Sequence, residues 1–241
     1  MTWSIVALDP DGSFGVAVAS RFFAVGALCP HASSGVGAVS TQALVNPLYG
    51  PAALDALKRG DDPADIVRAL TAADAGRDHR QLHMIDSNGR IGAHTGSACI
   101  DWCGHRAGRG YSLAGNMLAG PRVLAATAEA LENNRDDPLA LRLLRAMAAG
   151  EAAGGDKRGK QAAALLVCTT ESYPALDLRV DDHAEPIAEL FRLYEKSLER
   201  FQPFVSCLPR RDAPAGITDR TVIEAEIERF QAARAPSPPH R

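Results

Sequence analysis

Apolar and polar positions fall into a readable pattern from the start of the chain. Two apolar runs, Trp3 to Leu8 and Phe14 to Ala19, flank Asp9-Pro10-Asp11-Gly12. Asp-Gly between apolar runs predicts a tight β-hairpin, because the turn that matches strand twist needs positive φ. Thr2 therefore stands at the tip of the first strand. Residues 22–34, rich in Ala, Gly and Ser, read as loop, and residues 35–41 as a third strand weakened by its glycines. A helix follows over 49–59, with Pro51 in its first turn and Gly60 as its stop. Asp62-Pro63 caps a second helix, on which Ile66, Val67 and Leu70 form an apolar stripe.

Strands are predicted at 80–86 and 90–95, joined by Ser87-Asn88-Gly89. Residues 96–121 show no clear periodicity and read as a long irregular loop, a feature that in compact domains tends to be functional or mobile. Pro121 opens a helix to about Glu132, and Asp137-Pro138 caps another that ends at Gly150. A charged, Gly-rich loop at 154–161 leads into the most strand-like run, 162–168, which pairs with 176–180. Glu185-Pro186 begins an amphipathic helix with Ile187, Leu190, Phe191, Tyr194 and Leu198 at helical spacing. From Phe204 the chain turns Pro- and Arg-rich, holds one more helix near 218–232, and ends in a tail of disordered composition.

Hairpins thus alternate with helix pairs, unlike the single strand-helix alternation of a parallel sheet. Two antiparallel sheets packed together, with helix pairs on both outer faces, satisfy every apolar face. The expected fold is α+β, a four-layer αββα sandwich, over residues 1–205, with a C-terminal extension at 206–241.

Composition narrows the function. At 241 residues and 46% hydrophobic the chain can bury a large core. A net charge of −3 leaves no basic footprint for nucleic acid or a membrane surface. No apolar run approaches the ~20 residues of a membrane-crossing helix. The five scattered cysteines suit reduced thiols, and a cytoplasmic setting is expected.

Candidate chemistry begins at Thr2. A small second residue generally permits removal of the initiator Met, which would leave a hydroxyl and a free α-amine on one residue. An α-amine titrates near ~8, so part of it is neutral at pH 7 and can serve as the hydroxyl's own base. Ser4 lies on the same strand face, as a supporting residue or an alternative nucleophile. Ser20 and Arg21 close the second strand beside that tip; Arg21 could hold a substrate carboxylate, tune the amine, or simply form a surface ion pair.

The residues Thr2-Trp-Ser-Ile-Val6, Gly15 through Gly26, Gly115-Asn116 and Gly154-Gly-Asp-Lys-Arg-Gly-Lys-Gln161 resemble the pattern of domain of unknown function 1028. The similarity extends over about residues 2–205. The segment 2–21 is also similar to the start of a proteasome β subunit. The resemblance implies an N-terminal nucleophile (Ntn) hydrolase-like fold and amide chemistry. It departs from the proteasome pattern in one respect: residues 22–57 contain no lysine to activate the threonine.

Asn116 is a candidate oxyanion donor or a conformational residue of a Gly-rich turn. Asp156 and Arg158 form a candidate carboxylate clamp in which the aspartate orients the amine, or else a solvated loop. The expected catalytic set is Thr2, Asn116 and Asp156, and the expected substrate-binding set is Ser4, Ser20, Arg21 and Arg158. Cys99, Cys103 and His105 offer only three ligands at unusual spacing, so neither a metal nor another cofactor is expected. The expected partners are a small amide or short peptide and a second copy of the chain in a homodimer. The competing expectations are a catalytically silent binder of a small metabolite and a purely structural oligomer subunit.

Overall fold

The computed structural model describes residues 2–234; Met1 and the Pro-rich tail lie outside the described residues. The chain divides into two compact units, Met1–Phe191 and Arg192–Arg241. The strands are β1 (Thr2–Leu8), β2 (Phe14–Ser20), β3 (Pro30–Ser33), β4 (Gly37–Ala43), β5 (Arg80–Asp86), β6 (Ile91–Thr95), β7 (Trp102–Gly108), β8 (Tyr111–Leu118), β9 (Ala162–Cys168) and β10 (Leu176–Val180). The helices are α1 (Tyr49–Lys58), α2 (Pro63–Ala72), α3 (Arg122–Asn133), α4 (Leu139–Ala152), α5 (Pro186–Glu199), α6 (Phe201–Val205) and α7 (Arg220–Arg234). In the second unit, Arg200 pairs with Glu224 at the start of α7.

The first unit contains a six-stranded sheet of order β10-β9-β2-β1-β8-β7 and a four-stranded sheet of order β3-β4-β5-β6, every pairing antiparallel. Helices α1 and α2 cover the four-stranded sheet, where Tyr49, Ala53, Leu57, Ile66 and Val67 bury Val39, Leu82 and Met84. Helices α3 and α4 pack on β8, β2 and β9. The fold is the four-layer αββα sandwich. The first hairpin forms as its sequence dictates: Gly12 takes φ +86°, and its N–H donates to the Asp9 carbonyl at 2.9 Å. Asp62 caps α2 by accepting from the Ala64 N–H at 2.9 Å.

Two stretches differ from the sequence reading. Residues 22–34 hold a short 3-10 turn, Val25–Ala27, and strand β3. Residues 96–121 are mostly strand: β7 and β8 occupy them, so Asn116 lies on a central strand and not in an irregular loop. Glycines at 104, 108, 110 and 115 hide the strand pattern there, and β7 is an edge strand that exposes His105, Arg106 and Ala107.

Alternation along β1 decides what each layer receives. Trp3 faces α4, where its indole lies against Gly150. Thr2, Ser4 and Val6 face the other sheet instead.

Candidate active site

The layer between the sheets changes character along its length. At the hairpin end, Val6, Phe14, Val16, Ala38 and Ile85 form an apolar cluster with no exposed surface. At the opposite end the same strands, joined by β8, supply Thr2, Ser4, Ser20, Gln42, Gln81, His83, Ser112 and Asn116, all buried. Polar groups buried this way are costly unless hydrogen-bonded, and these are joined into one network.

Ser4 Oγ lies 2.6 Å from Gln42 Oε1, an oxygen that can only accept, so the serine hydrogen points there. The 2.8 Å contact with His83 Nε2 must then run from the ring N–H to Ser4. His83 Nδ1 in turn accepts from Ser112 Oγ at 3.1 Å. His83 is therefore neutral with its hydrogen on Nε2, and burial pushes its pKa down to about 3. Gln42 Nε2 donates to Gln81 Oε1 at 2.9 Å and to the Thr2 carbonyl at 3.4 Å. Asn116 Nδ2 donates to the same two acceptors, at 2.9 and 3.3 Å. Gln81 Nε2 is surrounded by Gly115 O at 2.7 Å, Thr95 Oγ1 at 3.1 Å and Gly104 O at 3.2 Å. Two amides on different sheets thus hold the carbonyl of Thr2.

The Thr2 hydroxyl meets Ser20 Oγ at 3.1 Å, across the register pair Thr2–Ser20. On its other side β1 pairs Thr2 with Asn116. Beyond this tip opens a cavity of about 710 Å³, lined by Thr2, Asn116 and Arg158 among others. Its thiol Cys29 is buried, which pushes the pKa up to about 12 and keeps the sulfur protonated near neutral pH. Among the described residues, four non-glycine residues adopt left-handed backbone conformations: Ala24, Ala43, Asp101 and Met117. Ala43 and Met117 line the cavity directly, and each follows an amide residue, Gln42 or Asn116, that grips Thr2. Such conformations cost roughly 1–3 kcal/mol each and cluster where function requires them.

Asp156 is buried and ties strand ends together. Its Oδ2 accepts from the Arg21 N–H at 3.0 Å, and its Oδ1 from the Arg158 N–H at 2.8 Å. It also bridges to Leu118 at the end of β8. The Arg21 guanidinium is exposed and donates to the Arg158 carbonyl. Of the predicted residues, Thr2, Asn116 and Arg158 share the cavity, and Ser20 touches Thr2 from behind. Ser4 and Asp156 act through neighbours, and neither they nor Arg21 line the cavity. Among the described residues no group of three or more His, Cys, Asp or Glu is arranged to hold a metal ion.

The profile of the family of unknown function DUF1028 matches residues 2–190. The chain belongs to this family. A solved structure of the family, protein SPO2555 from Silicibacter pomeroyi, is 33% identical; the match covers 90% of this chain and 96% of that one, with a TM-score of 0.84. The structure of Anbu, an ancestral β-subunit from Yersinia bercovieri, is 13% identical over 81% of this chain and 94% of its own, with a TM-score of 0.39. Among functionally curated proteins none matches. No helix among the described residues is long and apolar enough to cross a membrane.

For this member of DUF1028, Gln42, Gln81, His83 and Ser112 escaped sequence reasoning. Their trace is faint: Gln81 and His83 sit two apart in a strand whose intervening residues are apolar, so one strand face is polar yet meets the opposing sheet.

Proposed function

We propose that the chain is an N-terminal threonine amidohydrolase acting on a small amide or short peptide. The observation that carries this reading is Thr2 at the head of an open cavity, with its own carbonyl gripped by Gln42 and Asn116. After loss of Met1, the α-amine takes the hydroxyl proton as Oγ1 attacks the substrate carbonyl carbon. The tetrahedral oxyanion collapses, the C–N bond breaks, and the leaving nitrogen receives the proton held by the ammonium. Water, deprotonated by the same amine, then cleaves the acyl-threonine ester.

Asn116 positions the nucleophile by holding its carbonyl, and the Val45 N–H on the cavity wall, which has no partner among the described residues, is the donor left for the developing charge. Asp156 holds the backbone of Arg21 and Arg158, and Arg158 brings positive charge to the substrate. Ser20 orients the threonine hydroxyl, and Ser4 supports it through Gln42. Free cysteines at 29, 99, 103, 168 and 207 fit a cytoplasmic setting, and the reading includes a homodimer without cofactor.

Intact mass before and after treatment with a β-lactone probe tests the reading. Loss of Met1 with one adduct on Thr2, absent in Thr2→Ala, is expected. Retained Met1 with no adduct defeats the mechanism. A catalytically silent metabolite binder then becomes the better reading.

A further inference from the structure

The wall of the Thr2 cavity is apolar over most of its extent. Val25, Leu28 and Val45 line it, and three large side chains at its mouth, Phe22, Leu44 and Ile100, are 54%, 62% and 60% exposed. Large apolar groups left in water around a concave site mark a surface that a ligand covers. Charge on the wall has one sign. Among the described residues no Asp or Glu lines the cavity, whereas Arg80 and Arg158 do. Arg80 is already neutralised by Asp74 at 3.3 Å and secured to the Leu44 carbonyl. Arg158 pairs with Asp156 at 3.5 Å and still keeps 42% of its side chain exposed. At about 710 Å³ the space suits a molecule of drug-like size, larger than a bare acetyl amide requires.

We infer that this cavity takes amphipathic amides in which a medium-length apolar acyl group lies against Val25, Leu28 and Val45 while a carboxylate on the amine half meets Arg158: N-acyl amino acids as a chemical class. An unblocked peptide would place its ammonium beside two arginines with no carboxylate on the wall to meet it. This inference deepens the hydrolase reading and rests on it only for cleavage; binding stands separately.

Titration calorimetry on the Thr2→Ala chain, in which turnover is absent, compares four probes: N-octanoylglycine, N-acetylglycine, N-octanoylglycinamide and N-octanoyl-1,2-diaminoethane. Burial of even part of the six additional methylenes makes N-octanoylglycine bind about 100-fold more tightly than N-acetylglycine. Its carboxylate adds about tenfold over the glycinamide, a difference that Arg158→Gln abolishes. The surface change Leu44→Asn weakens the octanoyl probes about threefold and leaves N-acetylglycine unchanged.

Equal affinity for octanoyl and acetyl probes, tightest binding of the cationic probe, or no binding of any probe overturns the inference. The four-probe ranking decides it even where Arg158→Gln does not fold. Chain-length preference in binding without turnover by the Thr2-bearing chain defeats the hydrolase reading alone. Turnover indifferent to chain length defeats this inference alone.

Discussion

The two ends of the inter-sheet layer share β1, β2, β4 and β5 and follow opposite rules. At the hairpin end, Val6, Phe14, Val16, Ala38 and Ile85 are held by shape and the expulsion of water. At the Thr2 end, Ser4, Gln42, Gln81, His83, Ser112 and Asn116 are equally buried and held by directed bonds. An apolar cluster tolerates small sliding of one sheet over the other; a network of amides at 2.6–3.1 Å does not. The apolar end joins the sheets, and the polar end fixes where the strand tip sits between them.

Substitutions separate the two ends. Phe14→Ala opens a void in the apolar cluster and should lower stability by about 3–5 kcal/mol in urea unfolding, with probe labelling of Thr2 unchanged per folded molecule. Gln81→Leu strips the acceptor from Gln42 and Asn116 and should cost about 2–4 kcal/mol from the donors left unpaired. Unlike Phe14→Ala, it should also slow β-lactone labelling at Thr2 more than tenfold, read by intact mass.

Acid tests the polar end through His83. The unfolded chain protonates His83 near pH ~6.5, whereas the folded chain holds it neutral down to about 3. Between those values the unfolded state binds more protons, so stability is full above about pH 6.5 and falls by up to ~1.4 kcal/mol per pH unit below it. Burial depresses His31 and His105 in the same direction. His83→Leu should flatten most of that slope in urea titrations across pH. The smallest stability effect belongs to Ser20→Ala, about 1 kcal/mol or less, and its signature is slower labelling of Thr2 with only a small shift of the unfolding midpoint.

What was legible in the chain follows the same division. Turn and cap chemistry is local, so Asp9 to Gly12, Asn88-Gly89 and Asp62 disclosed the hairpins and the start of α2. β7 and β8 were not legible, because Gly104, Gly108, Gly110 and Gly115 weaken a strand signal that pairing with β1 restores. Thr2 and Asn116 stood out by residue type. That they are register partners emerged only from the sheet order. Gln42 and Gln81 look like ordinary strand-end polar residues until a second sheet covers them.

The sheet order also sets a schedule for synthesis. Thr2 meets Ser20 across 18 residues but Asn116 across 114. At ~5–20 residues per second, β8 leaves the ribosome roughly 5–20 s after the first hairpin can close. Until then one edge of β1 stays open. During that interval the strand tip also lacks Asn116, one of the two amides that grip the Thr2 carbonyl.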